Sequence, residues 1–241
     1  MNVSKQLWIL AGGNGAGKTT FYNEFLAPKG IKLVSADVIA KAINSENPEN
    51  VSYEAASLAG QIREELLRKG VSFCFETVFS HVKKIDFAAK AKTMGYEIIL
   101  VYIHLETSEL NEARVYQRVT EGGHNVPVDK IHSRIPRTMK NIATVLPLVN
   151  EARLLNNSSR DNPFQLVAIV KRGRRKWAVD PIPEWAEDIL IDSTFGGANS
   201  FLFPHQLGRL ATMKAKICNR FAHYQVEHGI YDTLRQFIGL A

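Results

Sequence analysis

The chain has little cysteine and no long apolar run. Its two cysteines, Cys74 and Cys218, are too few for a disulfide framework and do not form the clustered pattern of a metal site. The first apolar run, residues 7–11, is too short for the core of a signal peptide, and no later run approaches the roughly 20 apolar residues that cross a bilayer. These absences disfavour secreted disulfide scaffolds and membrane proteins, and we expect a cytoplasmic location.

Acidic residues are the minority among the charged side chains. The chain has 24 acidic and 30 basic residues, a formal net charge of +6, which favours polyanionic ligands such as nucleotides, sugar nucleotides or nucleic acids. The sign of the charge does not choose among these ligands. The length of 241 residues and the hydrophobic share of 45% are sufficient for one large domain with a buried core.

Apolar runs alternate with amphipathic segments, which predicts an α/β fold with a parallel sheet flanked by helices. The predicted strands are residues 7–11, 32–35, 71–76, 97–105 and 154–155, and the predicted helices are residues 55–69, 111–121 and 128–151. Pro136 and Pro147 predict kinks or breaks in the last of these helices. Residues 164–171 and 175–179 predict a hairpin with its turn at residues 172–174.

The last fifty residues differ in composition from the rest of the chain. Residues 193–203 are rich in glycine, serine and asparagine, which predicts a linker, and residues 206–240 predict one or two helices. We therefore expect a P-loop domain over residues 1–191 and a linker with a helical C-terminal extension over residues 192–241.

A glycine-rich motif follows the first predicted strand. It reads Gly12-Gly13-Asn14-Gly15-Ala16-Gly17-Lys18-Thr19 and matches the P-loop pattern G-x-x-x-x-G-K-[ST]. Its glycines allow backbone N–H groups to turn towards phosphate oxygens, and the helix that follows presents its positive end to the same anion. Lys18 is placed to neutralise β- and γ-phosphate oxygens, and the Thr19 hydroxyl is placed to bind Mg²⁺. A glycine turn without a ligand would not require this lysine and threonine.

The class of P-loop protein follows from motifs that are missing. The chain has no Asn-Lys-x-Asp motif or Asp-x-x-Gly switch of a GTPase, and no serine-glycine-glycine signature of a transporter ATPase. The small kinases remain as the natural class, with ATP and Mg²⁺ as cofactors.

Two carboxylates follow predicted strands at the edge where ligands bind in open α/β sheets. Asp37 follows the second strand and is placed to accept the proton of a substrate hydroxyl; it could equally be the N-cap of a helix over residues 38–44. Glu76 ends the third strand and could orient substrate or a Mg²⁺-bound water, or be only a solvated strand end.

Phosphoryl transfer also needs positive charge around the γ-phosphate oxygens. Arg118, Arg134 and Arg137 flank the turn Gly122-Gly123-His124, which could act as a hinged lid. Any one of them alone is more often a solvated helix residue. The residues leave open which of Arg134 and Arg137 contacts the transferring phosphate.

These pieces resemble, in the same order, the zeta toxins and their chromosomal zeta-like relatives, kinases usually described as phosphorylating UDP-N-acetylglucosamine. The matching segments are residues 11–19, 36–40, 75–77, 95–96 and 118–127, followed by Ile131, Arg134, Arg137, Asn141 and residues 156–158. The element Gly122-Gly123-His124-Asn125-Val126-Pro127, with arginines on both sides, is more specific than the P-loop, which many families share.

The resemblance implies three sets of site residues. The implied catalytic residues are Asp37, Lys18, Arg118 and Arg134. The implied ATP-binding residues are Gly12, Gly13, Asn14, Gly15, Ala16, Gly17, Lys18, Thr19, Thr20 and Asn157, with Thr19 as the metal ligand. The implied acceptor-binding residues are Asp37, Glu76, Thr77, Arg137 and His124.

The expected function is therefore an ATP-dependent kinase that phosphorylates a hydroxyl of a small substrate such as a UDP-sugar and acts as a toxin, with an antitoxin as a possible protein partner. The basic segment at residues 171–176 keeps open a nucleic-acid or nucleotide kinase or binding protein, although no aromatic stacking platform accompanies it. A regulatory ATP-binding protein without phosphoryl transfer is the third possibility.

Overall fold

The computed structural model describes residues 4–123 and 125–199. The chain divides into two units, residues 1–195 and 196–241, and the first contains the sheet and the candidate site. The helices predicted over residues 206–240 lie outside the described residues. The predicted domain boundary at residue 191 stays a prediction.

A seven-stranded sheet forms the centre of the first unit. Its strands are β1 Gln6–Gly12, β2 Lys32–Val34, β3 Phe73–Thr77, β4 Glu97–His104, β5 Glu151–Asn156, β6 Gln165–Lys171 and β7 Arg174–Ala178. Their order across the sheet is β2-β3-β1-β4-β5-β6-β7, in which the first five strands are parallel and the last two pair antiparallel. This topology confirms the prediction of an α/β fold with a mostly parallel sheet.

Among the described residues, six helices lie between the parallel strands and a seventh follows the last strand. They are α1 Lys18–Phe21, α2 Ala36–Ile43, α3 Ser52–Lys69, α4 Lys83–Thr93, α5 Ser108–Thr120, α6 Val128–Val145 and α7 Glu184–Asn199. A π-helical turn at Tyr22–Leu26 and 3₁₀ turns at Ala27–Lys29 and Pro48–Val51 complete the connections. Among the described residues, no helix is both long enough and apolar enough to span a bilayer.

Several predicted boundaries differ from the structure; β5 covers residues 151–156 where only 154–155 were predicted, and three further differences have physical reasons. Helix α6 contains Pro136 and ends at Val145, so the predicted end at residue 151 was wrong, whereas the predicted break at Pro147 is confirmed, since the residue before a proline disfavours the helical conformation. Arg174 belongs to β7, so the hairpin turn is shorter than predicted. Helix α7 continues to Asn199, through part of the predicted linker. Its first turns are anchored by the buried Ala186 and Ile189, and extending an established helix through glycine costs only about 1 kcal/mol per residue.

The strand register aligns the ends of the central strands at one edge of the sheet. The central strands β1 and β4 are almost fully buried, as expected for parallel strands covered on both faces. Ala11 of β1 lies opposite Thr77 of β3 and Tyr102 of β4. The P-loop therefore leaves the sheet beside the carboxyl end of β3, which carries Glu76.

Candidate functional site

The P-loop adopts a conformation that its glycines permit. Gly15 and Gly17 have φ angles of 77° and 95°, a region that other residues rarely occupy. A Cβ atom on Gly17 would lie 2.5 Å from Nδ2 of Asn157, so this position has no room for a side chain. The Gly17 carbonyl then accepts a hydrogen bond of 2.9 Å from the backbone N–H of Phe21, which closes the first turn of α1.

Two buried asparagines hold the P-loop from behind. Asn111 of α5 donates through Nδ2 to the carbonyl of Asn14 at 2.6 Å, and Asn157, after β5, donates to the carbonyl of Ala16 at 2.9 Å. Oδ1 of Asn157 accepts from the backbone N–H of Phe164 at 3.2 Å. Asn157, predicted to bind nucleotide, thus braces the loop without lining the cavity. Asn111 was missed because its helical context shows no phosphate-binding pattern.

Lys18 lies at the centre of the charged groups. Its Nζ donates to the carbonyls of Gly12 and Gly13 at 3.0 Å and 2.8 Å. Burial lowers the pKa of Lys18, while the nearby carboxylates of Glu76 and Asp37 oppose this shift. The positive charges of Arg118 and Arg134 add to the lowering of this pKa. All four predicted charged partners therefore lie close enough to act on the Lys18 ammonium.

Glu76 joins the P-loop to the end of β2. Thr19 donates through Oγ1 to one carboxylate oxygen of Glu76 at 2.9 Å, and Ser35 donates through Oγ to the other at 2.7 Å. Ser35 is only 2% exposed, so this contact is shielded from competing water. Glu76 is thus a paired carboxylate, which rules out the reading of it as a solvated strand end.

Asp37 lies in the first turn of α2 and is exposed at the cavity. The N-cap of this helix is Ser35, whose Oγ accepts from the backbone N–H of Val38 at 3.5 Å. The alternative that Asp37 caps the helix was therefore wrong. Its carboxylate remains available to a ligand.

The structure separates the predicted arginines. Arg118 of α5 and Arg134 of α6 both line the cavity, and Nη1 of Arg134 donates to Oδ1 of Asn14 at 3.4 Å. Arg137 is exposed and donates to the backbone carbonyl of Ser133 at 2.9 Å, outside the cavity lining. The structure thus brings Arg134 to the P-loop and leaves Arg137 outside the site.

The remaining predicted residues differ in their positions. Thr20 and Thr77 line the cavity, and Oγ1 of Thr77 accepts from the backbone N–H of Phe79 at 3.0 Å. His124 lies outside the described residues. The next residue, Asn125, donates through its backbone N–H to Glu49 at 3.1 Å, which ties the segment after α5 to the turn before α3.

The loop after β3 is held in a strained conformation by α6. Phe79 has a φ angle of 64° and is buried. Its carbonyl accepts from Nδ2 of Asn141 at 2.9 Å, and the carbonyl of Val78 accepts from Oγ1 of Thr138 at 2.8 Å. Such strain costs on the order of 1–3 kcal/mol and persists where the surroundings hold it, which is common at binding sites.

These residues surround a cavity of about 790 Å³. Its lining includes the cationic residues Lys18, Arg63, Lys84, Arg114, Arg118, Lys130 and Arg134. The lining carboxylates are Asp37, Glu49 and Glu76. The seven cations outnumber the three carboxylates, so the cavity suits a ligand with several negative charges.

Thr19 and Glu76 fit a Mg²⁺ site beside the P-loop. Mg²⁺ prefers oxygen ligands and is usually held by one or two protein oxygens together with substrate phosphates. The hydroxyl of Thr19 donates its proton to Glu76, which leaves an oxygen lone pair directed elsewhere. Within residues 4–123 and 125–199, no group of three or more His, Cys, Asp or Glu residues could hold a metal by itself.

Comparison with known proteins gives a family match. The family model described as Zeta toxin matches residues 2–158. An uncharacterized protein of Haemophilus influenzae is 30% identical over 139 residues, which cover 55% of this chain and 99% of that protein.

Solved structures show the same fold. A chain from a crystal structure of AvrRxo1-ORF1:-ORF2 with ATP has a TM-score of 0.62 and 21% identity; the match covers 78% of this chain and 64% of that chain. A chain of the PezAT chromosomal toxin-antitoxin system of Streptococcus pneumoniae has a TM-score of 0.56 and 16% identity, covering 80% of this chain and 85% of that one. This chain thus spans less than two thirds of the AvrRxo1 protein that it matches.

Proposed function

Because this chain belongs to the zeta-toxin family, we propose that it is a kinase that transfers the γ-phosphate of ATP to a hydroxyl group of a small acceptor. The observation that carries the proposal is the convergence of Lys18, Asp37 and Glu76, with two cavity-lining arginines, on one cationic cavity. A structure related in fold contains ATP, which supports ATP as the phosphate donor.

The P-loop and the arginines would hold the phosphates. Backbone N–H groups of the loop and the Lys18 ammonium bind the β- and γ-phosphate oxygens, as in other P-loop proteins. Arg118 and Arg134 lie on the helices that follow β4 and are placed to neutralise the charge that spreads over the transferring group. Mg²⁺, held through Thr19, reduces the repulsion between the β- and γ-phosphates when it is bound.

Asp37 would act as the base. The acceptor oxygen forms a bond to the γ-phosphorus, the bond from that phosphorus to the ADP oxygen breaks, and the hydroxyl proton passes to the Asp37 carboxylate. Glu76 positions the metal side of the site through Thr19 and keeps α2 in place through Ser35. Asp37 and the P-loop line the same cavity, which supports a base close to the phosphate donor, the main requirement of the reaction.

The finer part of the proposal concerns the acceptor and the biological role. We propose a UDP-sugar such as UDP-N-acetylglucosamine as the acceptor, because a cavity of about 790 Å³ lined by seven cations suits an acceptor that itself carries phosphate. We also propose that the chain acts as a toxin controlled by a protein antitoxin, because the PezAT system combines a toxin with an antitoxin.

The test is to incubate the purified protein with ATP, Mg²⁺ and a panel of UDP-sugars, nucleotides and RNA, and to detect an added phosphate by mass spectrometry. We expect a phosphorylated UDP-sugar. Asp37→Asn should lower the rate by about 10²–10⁴-fold, the contribution typical of a general base, with binding of a non-hydrolysable ATP analogue retained. The matched control Asp86→Asn removes an exposed carboxylate that does not line the cavity and should keep full activity.

Growth of a bacterial host separates transfer from regulation. If the chain is a toxic kinase, expression of the wild-type protein arrests growth and Asp37→Asn does not. If it is a regulatory ATP-binding protein, the two proteins have the same effect, and the kinase proposal fails. Absence of phosphorylated product from every acceptor in the panel would contradict it as well.

A nucleic-acid substrate is favoured by one observation. The basic residues at the β6–β7 turn are exposed, and Trp177 beside them is 46% exposed. However, β4, β5 and β6 lie between β7 and the P-loop strand, so this basic hairpin is remote from the cavity. Phosphorylation of RNA ends in the panel, with steep salt dependence, would favour this alternative over the UDP-sugar.

A further inference from the structure

Two cations in the cavity belong to neither the P-loop nor the arginine-bearing helices α5 and α6. Arg63 of α3 and Lys84 of α4 both line the cavity and are half-buried. The guanidinium carbon of Arg63 lies 5.2 Å from the centre of the Phe75 ring and 5.7 Å from that of Phe87. Nζ of Lys84 lies 5.9 Å from the Phe75 ring centre. The aromatic rings thus fix the positions of both charged groups.

Neither cation has a carboxylate partner in the described part of the chain. No Asp or Glu oxygen among those residues lies within 4.0 Å of the charged group of Arg63 or Lys84. Glu64, next to Arg63 in sequence, forms its ion pair with Lys90, and its negative charge offsets only part of the lowering that burial causes in the pKa of Arg63. Cation–π contacts contribute about 0.5–2 kcal/mol each and do not replace a direct ion pair with an anion.

The two charges also act on each other. Burial lowers the pKa of Lys84 to about 8, and the positive charge of Arg63 adds to this shift. Holding two like charges together at a partly dehydrated site costs free energy that an anion would recover. The chain therefore keeps an unfavourable pair of cations at a place that a ligand can reach.

We propose that Arg63 and Lys84 form a subsite that binds a phosphate or diphosphate group of the acceptor. This inference rests on the proposed kinase function and adds to it the residues that select an acceptor carrying phosphate. An acceptor without such a group, such as a free sugar, would leave both cations uncompensated and bind more weakly.

The position of the pair assigns it to the acceptor and not to ATP. Strand β3 lies between β2 and β1, and Phe75 directly precedes Glu76 on β3. The charges that act on the pKa of Lys18 include those of Arg118 and Arg134 and not those of Arg63 or Lys84, so the pair lies farther from the P-loop lysine. The phosphates of ATP belong to the P-loop after β1, with Arg118 and Arg134 on the elements that follow β4. Since the acceptor must occupy the part of the cavity that the phosphates of ATP leave free, Arg63 and Lys84, which line the same cavity as Asp37, are assigned to the acceptor.

The test uses Arg63→Met and Lys84→Met, which remove the charge and keep an apolar side chain against the aromatic rings. Lys83→Met is the matched control, because Lys83 is the exposed neighbour on the same helix and does not line the cavity. Each protein is first saturated with Mg²⁺ and a non-hydrolysable ATP analogue to occupy the P-loop. Calorimetry then measures the Kd of two probes, UDP-N-acetylglucosamine and inorganic pyrophosphate.

We expect Arg63→Met and Lys84→Met each to weaken binding of both probes at least tenfold, while Kd for the ATP analogue changes less than threefold. Lys83→Met should bind like the wild-type protein, and Lys84→Arg should retain most of the affinity. Melting temperatures identify a variant that fails to fold, in which case Arg63→Gln and Lys84→Gln, which also remove the charge, are compared with Lys83→Met and decide the question.

The outcomes separate this inference from the proposed function. If the wild-type protein phosphorylates an acceptor and the methionine variants bind both probes normally, the anion subsite is wrong and the kinase function stands. If no acceptor is phosphorylated but pyrophosphate binding depends on Arg63 and Lys84, the subsite stands and the proposed function fails. If the wild-type protein binds neither probe at millimolar concentration, the subsite is overturned.

Discussion

At the scale of single residues, Glu76 connects parts of the site that are far apart in the chain. It accepts a hydrogen bond from Thr19, 57 residues before it, and another from Ser35, 41 residues before it. These two hydrogen bonds orient the Glu76 carboxylate, because each of its oxygens is held by a different side chain. The role of Ser35 was missed because Asp37, two residues later, was the only residue considered as the cap of this helix.

A second residue-scale feature is the buried imidazole of His104 at the end of β4. Its Nδ1 lies 2.9 Å from Oη of Tyr102, and its ring stacks on Trp185 of α7 with ring centres 4.3 Å apart. His104 is only 6% exposed, and burial lowers its pKa to about 4. The imidazole is therefore neutral in the folded protein at neutral pH.

This pKa predicts acid sensitivity. The unfolded chain binds a proton at His104 with a pKa near 6.5, so between pH 6.5 and 4 the unfolded state takes up more protons and stability falls as the pH falls. From this group alone, we expect the free energy of unfolding to be about 2 kcal/mol lower at pH 5 than at pH 8. Urea unfolding at a series of pH values measures the difference.

His104→Gln should make this pH dependence shallower, because glutamine does not titrate in this range. The control is His132→Gln, which removes a histidine that is 37% exposed and paired with Glu112. If His104→Gln and the wild-type protein lose stability equally between pH 8 and pH 5, the buried histidine does not cause the acid sensitivity.

At the scale of elements, the P-loop depends on contacts with the helix and loop behind it. Asn111 comes from α5 and Asn157 from the segment after β5, and both donate to P-loop carbonyls. These bonds orient the loop carbonyls away from the cavity, which leaves the N–H groups to face a phosphate. The motif thus supplies the flexible backbone, and two distant amides keep it in the binding conformation.

The prediction at this scale compares two glycines. Gly17→Ala should abolish binding of an ATP analogue, because its Cβ would lie 2.5 Å from Asn157 Nδ2 in addition to the strain of a φ of 95°. Gly30 has a φ of 71°, and no atom lies within 4 Å of the Cβ that an alanine would add; Gly30→Ala is therefore the comparison. It should cost only the backbone strain, about 1–2 kcal/mol, and keep ATP-analogue binding.

Thermal melts and calorimetry of both variants measure the two effects. Equal ATP-analogue affinity of Gly17→Ala and the wild-type protein would contradict the proposed close contact between the P-loop and Asn157. Loss of ATP-analogue affinity in Gly30→Ala would show that the close contact with Asn157 is not what distinguishes Gly17 from Gly30.

At the scale of the whole molecule, the sheet order brings the site together. Strands β2, β3 and β1 are neighbours, so the groups after them meet at one edge of the sheet. The antiparallel β6 and β7 extend the opposite side and carry no cavity residue. Because the site uses groups from many elements, its occupancy should be linked to the stability of the folded state.

We therefore expect ligand binding to raise the melting temperature. A non-hydrolysable ATP analogue with Mg²⁺, at 100 times its Kd, should add about 2.7 kcal/mol to the stability of the folded state. For a domain of this size that corresponds to an increase of about 5–10 °C in Tm. Lys18→Ala should lose the increase, because it removes the ammonium that we propose neutralises the phosphates.

Lys29→Ala is the control for this measurement, since Lys29 is exposed and does not line the cavity. It should show the same increase in Tm as the wild-type protein. An undiminished increase in Lys18→Ala would mean that the nucleotide does not bind at the P-loop, and the proposed function would fail with it.

The sequence by itself determined the fold class, the P-loop and the family. Each of these depends on patterns that are local along the chain: apolar runs that alternate with amphipathic helices, and glycines at set distances from Lys18 and Thr19. The family match and the sheet topology confirm these predictions. The positions of Asp37 and Glu76 at the edge of the site were also predictable, because each directly follows or ends a strand.

Only the tertiary structure decided which side chains meet. The pairing of Glu76 with Ser35, the choice of Arg134 over Arg137 at the cavity, and the joint position of Arg63 and Lys84 all involve residues from different elements. Sequence spacing gives the direction of a side chain within one helix or strand. Contacts between elements depend on the strand order and on how each helix packs against the sheet, which are properties of the folded chain.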